Sequence, residues 1–280
     1  MQTIGVVGAG TMGSGISQLA AMSGFKVLMH DSQPGAVLRA KDRIAGRLNR
    51  SAARGQIVAG AAEDAMDRLM DAPLEDFHEA ELVIEAVVEV MDVKKSVFRA
   101  LDAIVRPEAI LATNTSSFSI TELSRSTRRP SQFLGMHFFN PAPVMKLVEL
   151  VRGEDTSDET VIYVQEISRI LGKETVVVQK DTPGFVVNRI LMPLFIEAMR
   201  ILEEGVASKE DIDKAVQLGL NHPMGPLTLA DFTGLDVDLE VMDYLYDEFH
   251  DDRFAAPQVL RRLVRAGRLG KKNGRGFYQY

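Results

Sequence analysis

The feature that most restricts the fold of this chain lies at its start. An apolar run, Ile4, Val6 and Val7, leads into Gly8-Ala9-Gly10-Thr11-Met12-Gly13 and then into the helix-like Ile16-Ser17-Gln18-Leu19-Ala20-Ala21. Strand, glycine turn and helix in that order make a phosphate-binding fingerprint. Gly8 makes the tight turn, Gly10 lets the backbone approach a pyrophosphate, and Gly13 lets helix and strand pack closely, with the phosphates on the helix N-terminus. Ala9, Thr11 and Met12 complete the turn and count with it as candidate cofactor contacts. Gly24 ends the helix, Phe25-Lys26-Val27-Leu28-Met29-His30 reads as a second strand, and Asp31 stands at its C-terminal end, about twenty residues beyond the glycines. A carboxylate there accepts hydrogen bonds from both hydroxyls of a ribose and repels a 2′-phosphate. Ser32-Gln33-Pro34 offers no adjacent arginine to offset that repulsion, so the expected cofactor is NAD rather than NADP. The competing reading is a plain turn, with Asp31 capping the helix that Pro34 opens.

The rest of the first half alternates in the same way. Pro34 to Arg54 and Ala61 to Met70 read as helices, Leu82 to Val87 as a β-branched strand, Met91 to Val105 as a helix and Ile110 to Thr113 as another strand. Two further strands are expected around Asn140-Pro141-Ala142-Pro143, then a helix from Thr160 to Leu171 and a strand at Thr175 to Val178. This is the pattern of an α/β, Rossmann-type doubly wound sheet. After Pro183-Gly184 every segment reads helical, beginning with the long apolar stretch Phe185 to Glu204, and Ser208-Lys209-Glu210-Asp211 resembles a capping box. The expected division is a nucleotide-binding domain over residues 1–182 and an all-helical C-terminal domain over 183–280. The apolar helix faces of the latter suit substrate binding and packing against a second copy of the chain, which makes a homodimer the expected assembly.

Composition removes several classes. A net charge of −7 argues against general nucleic-acid binding. The absence of cysteine excludes disulfides, thiolate nucleophiles and cysteine-ligated zinc, and no metal is called for. No apolar run reaches the roughly 18 residues of a membrane helix, so a soluble, cytoplasmic chain without a membrane partner is expected.

Chemistry concentrates between Thr113 and Glu149, where Asn114-Thr115-Ser116-Ser117 precedes His137-Phe138-Phe139-Asn140-Pro141 and then Lys146-Leu147-Val148-Glu149. A hydroxyl, an imidazole and a carboxylate in that order suit acid–base chemistry on an alcohol or carbonyl beside a nicotinamide. If Phe133 to Phe138 pairs with Lys146 to Val151 as an antiparallel hairpin centred near Ala142, His137 faces Leu147 and Glu149 becomes its diagonal neighbour on the same face. The carboxylate then fixes the imidazole tautomer and favours its protonated form. A hydrogen-bonded core histidine beside a solvated glutamate is the competing reading.

These segments resemble the 3-hydroxyacyl-CoA dehydrogenases, in particular the short bacterial 3-hydroxybutyryl-CoA members. So do Asp181-Thr182-Pro183-Gly184-Phe185-Val186-Val187-Asn188-Arg189, Pro223-Met224-Gly225-Pro226 and the tail Gly270-Lys271-Lys272-Asn273-Gly274-Arg275-Gly276-Phe277-Tyr278. The resemblance spans nearly the whole chain and implies NAD-dependent oxidation of an (S)-3-hydroxyacyl-CoA to the 3-ketoacyl-CoA, and the reverse reduction. It further implies His137 as general base, Glu149 as its orienting partner, Ser116 as the hydroxyl that binds the reacting oxygen, and Asn188 as an amide that positions substrate. Glu89, Lys94, Ser116, Asn140 and Lys272 match cofactor-contacting positions, although Lys95 and Lys271 stand beside two of them. Arg47, Arg50 and Arg54 recur along one helix and are candidates for the CoA phosphates, the alternative being a solvated helix face. A 3-hydroxyadipyl-CoA substrate stays open, as do a dehydrogenase of a free 3-hydroxy acid or sugar acid and a non-catalytic role.

Overall fold

In the computed structural model, which describes residues 2–280, the chain divides into two compact units, Met1–Thr182 and Pro183–Tyr280. The first unit opens with β1 (Thr3–Val7), α1 (Thr11–Met22), β2 (Lys26–His30), α2 (Ala36–Ala53), α3 (Ala61–Asp67) and β3 (Leu69–Asp71). It continues through β4 (Leu82–Glu85), α4 (Met91–Ile104), β5 (Ile110–Thr113), the short α5 (Ile120–Ser124), β6 (Phe133–Phe138), β7 (Leu147–Arg152), α6 (Asp158–Ile170) and β8 (Glu174–Val178). All eight strands join one sheet in the order β3-β2-β1-β4-β5-β6-β7-β8. The first six are mutually parallel, β7 turns antiparallel to β6, and β8 runs parallel to β7.

Burial explains why the central strands read as apolar runs rather than as alternations. Every residue of β1, β4, β5 and β6 is buried, as expected where helices cover both faces of a parallel sheet. Helix α2 shows the other pattern: Val37, Ala40, Ile44 and Leu48 form its buried stripe, and the arginines fall on its remaining faces. The order reverses between β1 and β4, and that switch point is where open α/β sheets form a ligand crevice at the carboxyl ends of their strands.

Two elements depart from the sequence reading: the short α5 was not expected, and an edge strand replaces the end of a helix. The helix expected to reach Met70 stops at Asp67, and Leu69–Asp71 becomes an edge strand beside Val27–Met29. Leu69 is buried there, and backbone bonds from Val27 to the Arg68 carbonyl and from Ala72 to the Met29 carbonyl outweigh three residues of helical continuation.

The second unit contains α7 (Val187–Glu203), α8 (Lys209–Gly219), α9 (Pro226–Thr233), α10 (Leu235–Phe249) and α11 (Gln258–Arg265) around a core that includes Phe195, Met199, Leu227, Leu235, Met242 and Leu260. Ser208 caps α8 as expected: its hydroxyl oxygen accepts the Asp211 amide at 3.2 Å, and its proton goes to the Asp211 carboxylate at 2.8 Å. The glycine-rich tail is explained by Asp231. That buried carboxylate accepts the Phe277 and Tyr278 amides, each at 2.8 Å, and a side chain at Gly270 or Gly276 would run into Asp231 itself. Among the described residues no helix is long and apolar enough to cross a membrane.

Candidate active site

The glycine turn joins β1 to α1, and its glycines have different reasons to be there. Gly8 sits at φ 102°, where L side chains are strained, and a Cβ on it would strike the Ala86 backbone. A Cβ on Gly13 would collide with the Gly8 carbonyl oxygen, so helix and strand could not pack as closely. At Gly10 the protein imposes no such limit, because an added Cβ would meet nothing within 4 Å. Gly10 is also the N-cap of α1 and supplies no side chain to the first helical amides. Those amides and the open space above Gly10 are what an incoming phosphate needs.

Asp31 is aimed into the same place. One carboxylate oxygen accepts the Ala9 amide at 2.7 Å and the other accepts the Gln33 amide at 2.9 Å, so the side chain ties the end of β2 to the glycine turn. A cavity of about 470 Å³ lies beside it, walled by the glycine turn, Asp31, Val88, Arg39 and Arg43. The sequence beside Asp31 holds no arginine, yet the fold brings Arg39 and Arg43 to its cavity. They arrive from α2, and Arg43 donates to the Ala9 carbonyl at 2.8 Å. Their spacing of four along the helix was the available signal, but only the fold shows which end of α2 meets the turn. A second cavity, of about 440 Å³, lies where Glu81, Arg106 and Tyr163 meet near the amino ends of β4 and β5. Burial, with Glu81 beside it, pushes the Tyr163 hydroxyl up to about 12, and none of the expected site residues reaches that cavity.

At the carboxyl end of β4 the structure places a cluster that sequence reasoning missed in part. Lys94 is wholly buried, with its ammonium on both oxygens of Glu85 at 2.8 and 3.1 Å and on Glu89 at 3.1 Å. Lys94 was expected at the cofactor; here protein encloses its side chain completely, and its ammonium reaches Glu89. Its neighbour Lys95 pairs with Glu122. Glu89 is partly exposed and accepts the Thr115 hydroxyl and, at 3.1 Å, the Ser116 amide. Glu85 was read only as part of a strand, since nothing local distinguishes a buried carboxylate partner from the last residue of β4.

His137 and Glu149 lie on β6 and β7, buried to 5% and 0% exposure, with His137 Nδ1 2.8 Å from Glu149 Oε2. The register is corrected by two residues: Glu149, not Leu147, lies directly opposite His137. The shift comes from the turn, where the Val144 and Met145 amides both bond the Pro141 carbonyl and displace the centre of the hairpin. A shift of two keeps each side chain on its face, so the shared face was foreseen and only the directness of the contact was not. Asn114 extends the β5–β6 junction by accepting the Phe138 amide at 2.9 Å. Lys173, buried and with its ammonium lowered from the usual lysine range by desolvation, donates to the Ala142 and Met145 carbonyls at 2.7 Å each and holds the turn that carries the exposed Asn140.

Arg47 donates to Gln18 at 2.7 Å and to the Ser14 carbonyl at 3.3 Å on α1, and desolvation, then Arg43 and Arg50, lowers its pKa. Arg50 and Arg54 are exposed at the end of α2. Asn188 is half-buried in the first turn of α7, and Lys272 pairs with Asp236 at 2.5 Å; both belong to the second unit.

A sheet ordered 3-2-1-4-5-6 with a glycine turn at its switch point and a buried imidazole–carboxylate pair on β6 and β7 places the protein among the dinucleotide-binding α/β oxidoreductases. Residues 3–182 match the 3-hydroxyacyl-CoA dehydrogenase NAD binding domain, and residues 184–280 match the 3-hydroxyacyl-CoA dehydrogenase C-terminal domain. The chain belongs to the 3-hydroxyacyl-CoA dehydrogenase family. It is 49% identical to a probable 3-hydroxybutyryl-CoA dehydrogenase of Deinococcus radiodurans, covering 99% of each chain. It is 44% identical to a 3-hydroxyadipyl-CoA dehydrogenase of Escherichia coli, covering 100% of this chain and 59% of that protein. Its structure resembles the crystal structure of (S)-3-hydroxybutyryl-CoA dehydrogenase from Ralstonia eutropha, with a TM-score of 0.95 at 46% identity, over 100% of this chain and 99% of that one.

Proposed function

We propose that the chain catalyses NAD-dependent oxidation of (S)-3-hydroxyacyl-CoA, with 3-hydroxybutyryl-CoA as its principal substrate, to the 3-ketoacyl-CoA, together with the reverse reduction. The observation that carries this reading is the buried His137–Glu149 pair on a fold whose glycine turn and Asp31 face one cavity. The residues present fit NAD: the glycine turn and the uncapped α1 N-terminus would take the pyrophosphate, and Asp31 a ribose. Glu89, Asn140 and Ser116 are assigned to the remainder of the cofactor, the Ser116 amide lying against Glu89. Lys272 and Asn188 keep their cofactor and substrate assignments from the family resemblance. Arg50 and Arg54, exposed on α2, are assigned to the CoA phosphates, and Arg47 is held on α1 behind them.

Bound in this way, NAD would accept the hydrogen and electron pair leaving C3 of the substrate. The protein's task is the accompanying proton. With Nδ1 engaged by Glu149, His137 takes the hydroxyl proton at Nε2, and the buried carboxylate stabilises the imidazolium so formed. In the reductive direction the same nitrogen returns the proton. The Ser116 hydroxyl holds the reacting oxygen in either direction.

The reading includes a cytoplasmic setting and a homodimer joined through the second unit, where Ile190, Val206, Leu218 and Leu220 expose apolar surface. Sedimentation at twice the 30.8 kDa chain mass is the expected result. The activity test is NADH formation from (S)-3-hydroxyacyl-CoAs of four, six, eight and ten carbons and from 3-hydroxyadipyl-CoA, an arm the Escherichia coli relative recommends. Turnover should be highest with the four-carbon thioester and collapse in His137→Ala. Absence of turnover on every thioester would reject the assignment.

A further inference from the structure

Glu85 and Lys94 have no exposed side-chain surface, so both charges have been taken out of water. A buried ion pair is weak evidence for stability in general, because desolvation offsets much of the attraction. What marks this pair is the completeness of its partners. One oxygen of Glu85 accepts the Val87 amide at 2.7 Å and the Lys94 ammonium at 2.8 Å; the other accepts the Thr113 hydroxyl at 2.7 Å and the same ammonium at 3.1 Å. Lys94 spends its remaining direction on Glu89 at 3.1 Å. The second oxygen of Glu89 then receives the Thr115 hydroxyl and, at 3.1 Å, the Ser116 amide.

The contacts form a circuit. It leaves the end of β5 at Thr113, crosses to Glu85 on β4, passes through Lys94 on α4 to Glu89, and returns to Thr115 and Ser116 on the loop that follows β5. Two strands, one helix and the loop bearing Ser116 are fixed to one another by charged hydrogen bonds, the strong kind. We propose that Glu85, Lys94 and Thr113 are positioning residues for the dehydrogenase reaction, acting through Glu89 to set its carboxylate and the Ser116 backbone. The assignment rests on the proposed role of Ser116 and Glu89 in that reaction. None of the three need touch cofactor or substrate.

The neutral variant Glu85→Gln makes the test discriminating. Every partner of Glu85 is a donor, so an amide nitrogen is tolerated only on the Thr113 side, where the hydroxyl can rotate to accept from it. Lys94 then loses part of its anchor and shifts toward Glu89. A double-mutant cycle of Glu85→Gln and Glu89→Gln reads whether the first acts through the second. Glu85→Gln is expected to lower kcat about tenfold, the scale of a small misplacement near reacting groups, while KM for the acyl-CoA stays within about twofold. On the Glu89→Gln background the same change should cost less than about twofold. Equal losses on both backgrounds, or unchanged kcat in Glu85→Gln, would overturn the proposal.

If Glu85→Gln does not fold, Thr113→Val, which removes one hydrogen bond, takes its place in the cycle with the same criteria. Amide exchange at Ser116 supplies a readout independent of turnover. Exchange should quicken by about tenfold in Glu85→Gln and Glu89→Gln alike and no further in the double variant. Unaltered exchange sinks the positioning circuit even if the wild-type protein proves not to be a dehydrogenase, and wild-type turnover separately decides that reading.

Discussion

Asp31 has both oxygens engaged by backbone amides, so its orientation is set by the fold and needs no ligand to establish it. Yet Arg39 and Arg43 stand at the wall of the same cavity. The proposed preference for NAD thus sets one carboxylate against two guanidinium groups. Replacing Asp31→Ser removes the repulsion toward a 2′-phosphate and keeps the arginines, so kcat/KM with NADP should rise by about tenfold or more. Adding Arg39→Ala should cancel most of that gain, and steady-state kinetics with both cofactors would show it; no gain in Asp31→Ser refutes the idea. At the proposed acid–base pair, Glu149→Gln keeps the hydrogen bond to Nδ1 but removes the charge assigned to stabilising the imidazolium. A fall in kcat on the order of 10²-fold, with KM changed far less, is the expected outcome. An unchanged kcat would mean that Glu149 serves the strand rather than the chemistry. Asp31 and the three glycines were legible because their signal is local: a turn, a strand end and a fixed spacing. Arg43 was not, because its partner Ala9 is 34 residues away and is met only when α2 packs beside the glycine turn.

At the scale of elements, the hairpin of β6 and β7 shows how far pattern reasoning reaches. Alternation along each strand decided that His137 and Glu149 share a face, and a two-residue error in register left that conclusion intact. What alternation could not supply was the conformation of the connecting turn, which is held by contacts from elsewhere. Lys173, just before β8, donates to two of its carbonyls, and Gly15 on α1 leaves room for Ala142 and Pro143. Lys173→Met keeps most of the apolar stem and removes both hydrogen bonds. We expect a loss of about 1–3 kcal/mol in unfolding free energy and faster amide exchange at Val144 and Met145, whose donors bond within the turn. Denaturant titration and exchange measured on the same variant would test this. Exchange as slow as in the wild type would show that the turn holds itself. The edge strand β3 escaped sequence reading for a related reason: three residues carry almost no periodicity, and only pairing with β2 makes them a strand.

Across the whole molecule, the change from alternating strand and helix to unbroken helix was readable because it extends over about a hundred residues, whereas the internal wiring of the helical unit was not. Asp238 is part of that wiring. It lies in the first turn of α10 at 2% exposure, and both of its oxygens are 2.8 Å from the Thr233 hydroxyl, which also approaches the Ala230 carbonyl at 3.0 Å. A single hydroxyl proton cannot serve these three acceptors and the Leu229 carbonyl at 3.3 Å, but a protonated Asp238 can donate to Thr233 while Thr233 donates to a backbone carbonyl. Burial accordingly pushes the carboxyl up to about 8, with Asp236 and Asp231 adding to the rise and Thr233 and Lys272 opposing it. The folded chain therefore retains a proton that the unfolded chain gives up near the ordinary aspartate value of 3.8. Stability from this group is complete below that lower value and is lost as pH rises toward and through about 8, a total on the order of 5 kcal/mol. Asp238→Asn preserves a donor toward Thr233 and cannot ionise. Its melting temperature should gain on the wild type as pH is raised from 6 to 9, by several degrees at the upper end. A difference that stays constant over that range would show that Asp238 is already ionised at pH 6, with its charge accommodated by Lys272 and the first turn of α10.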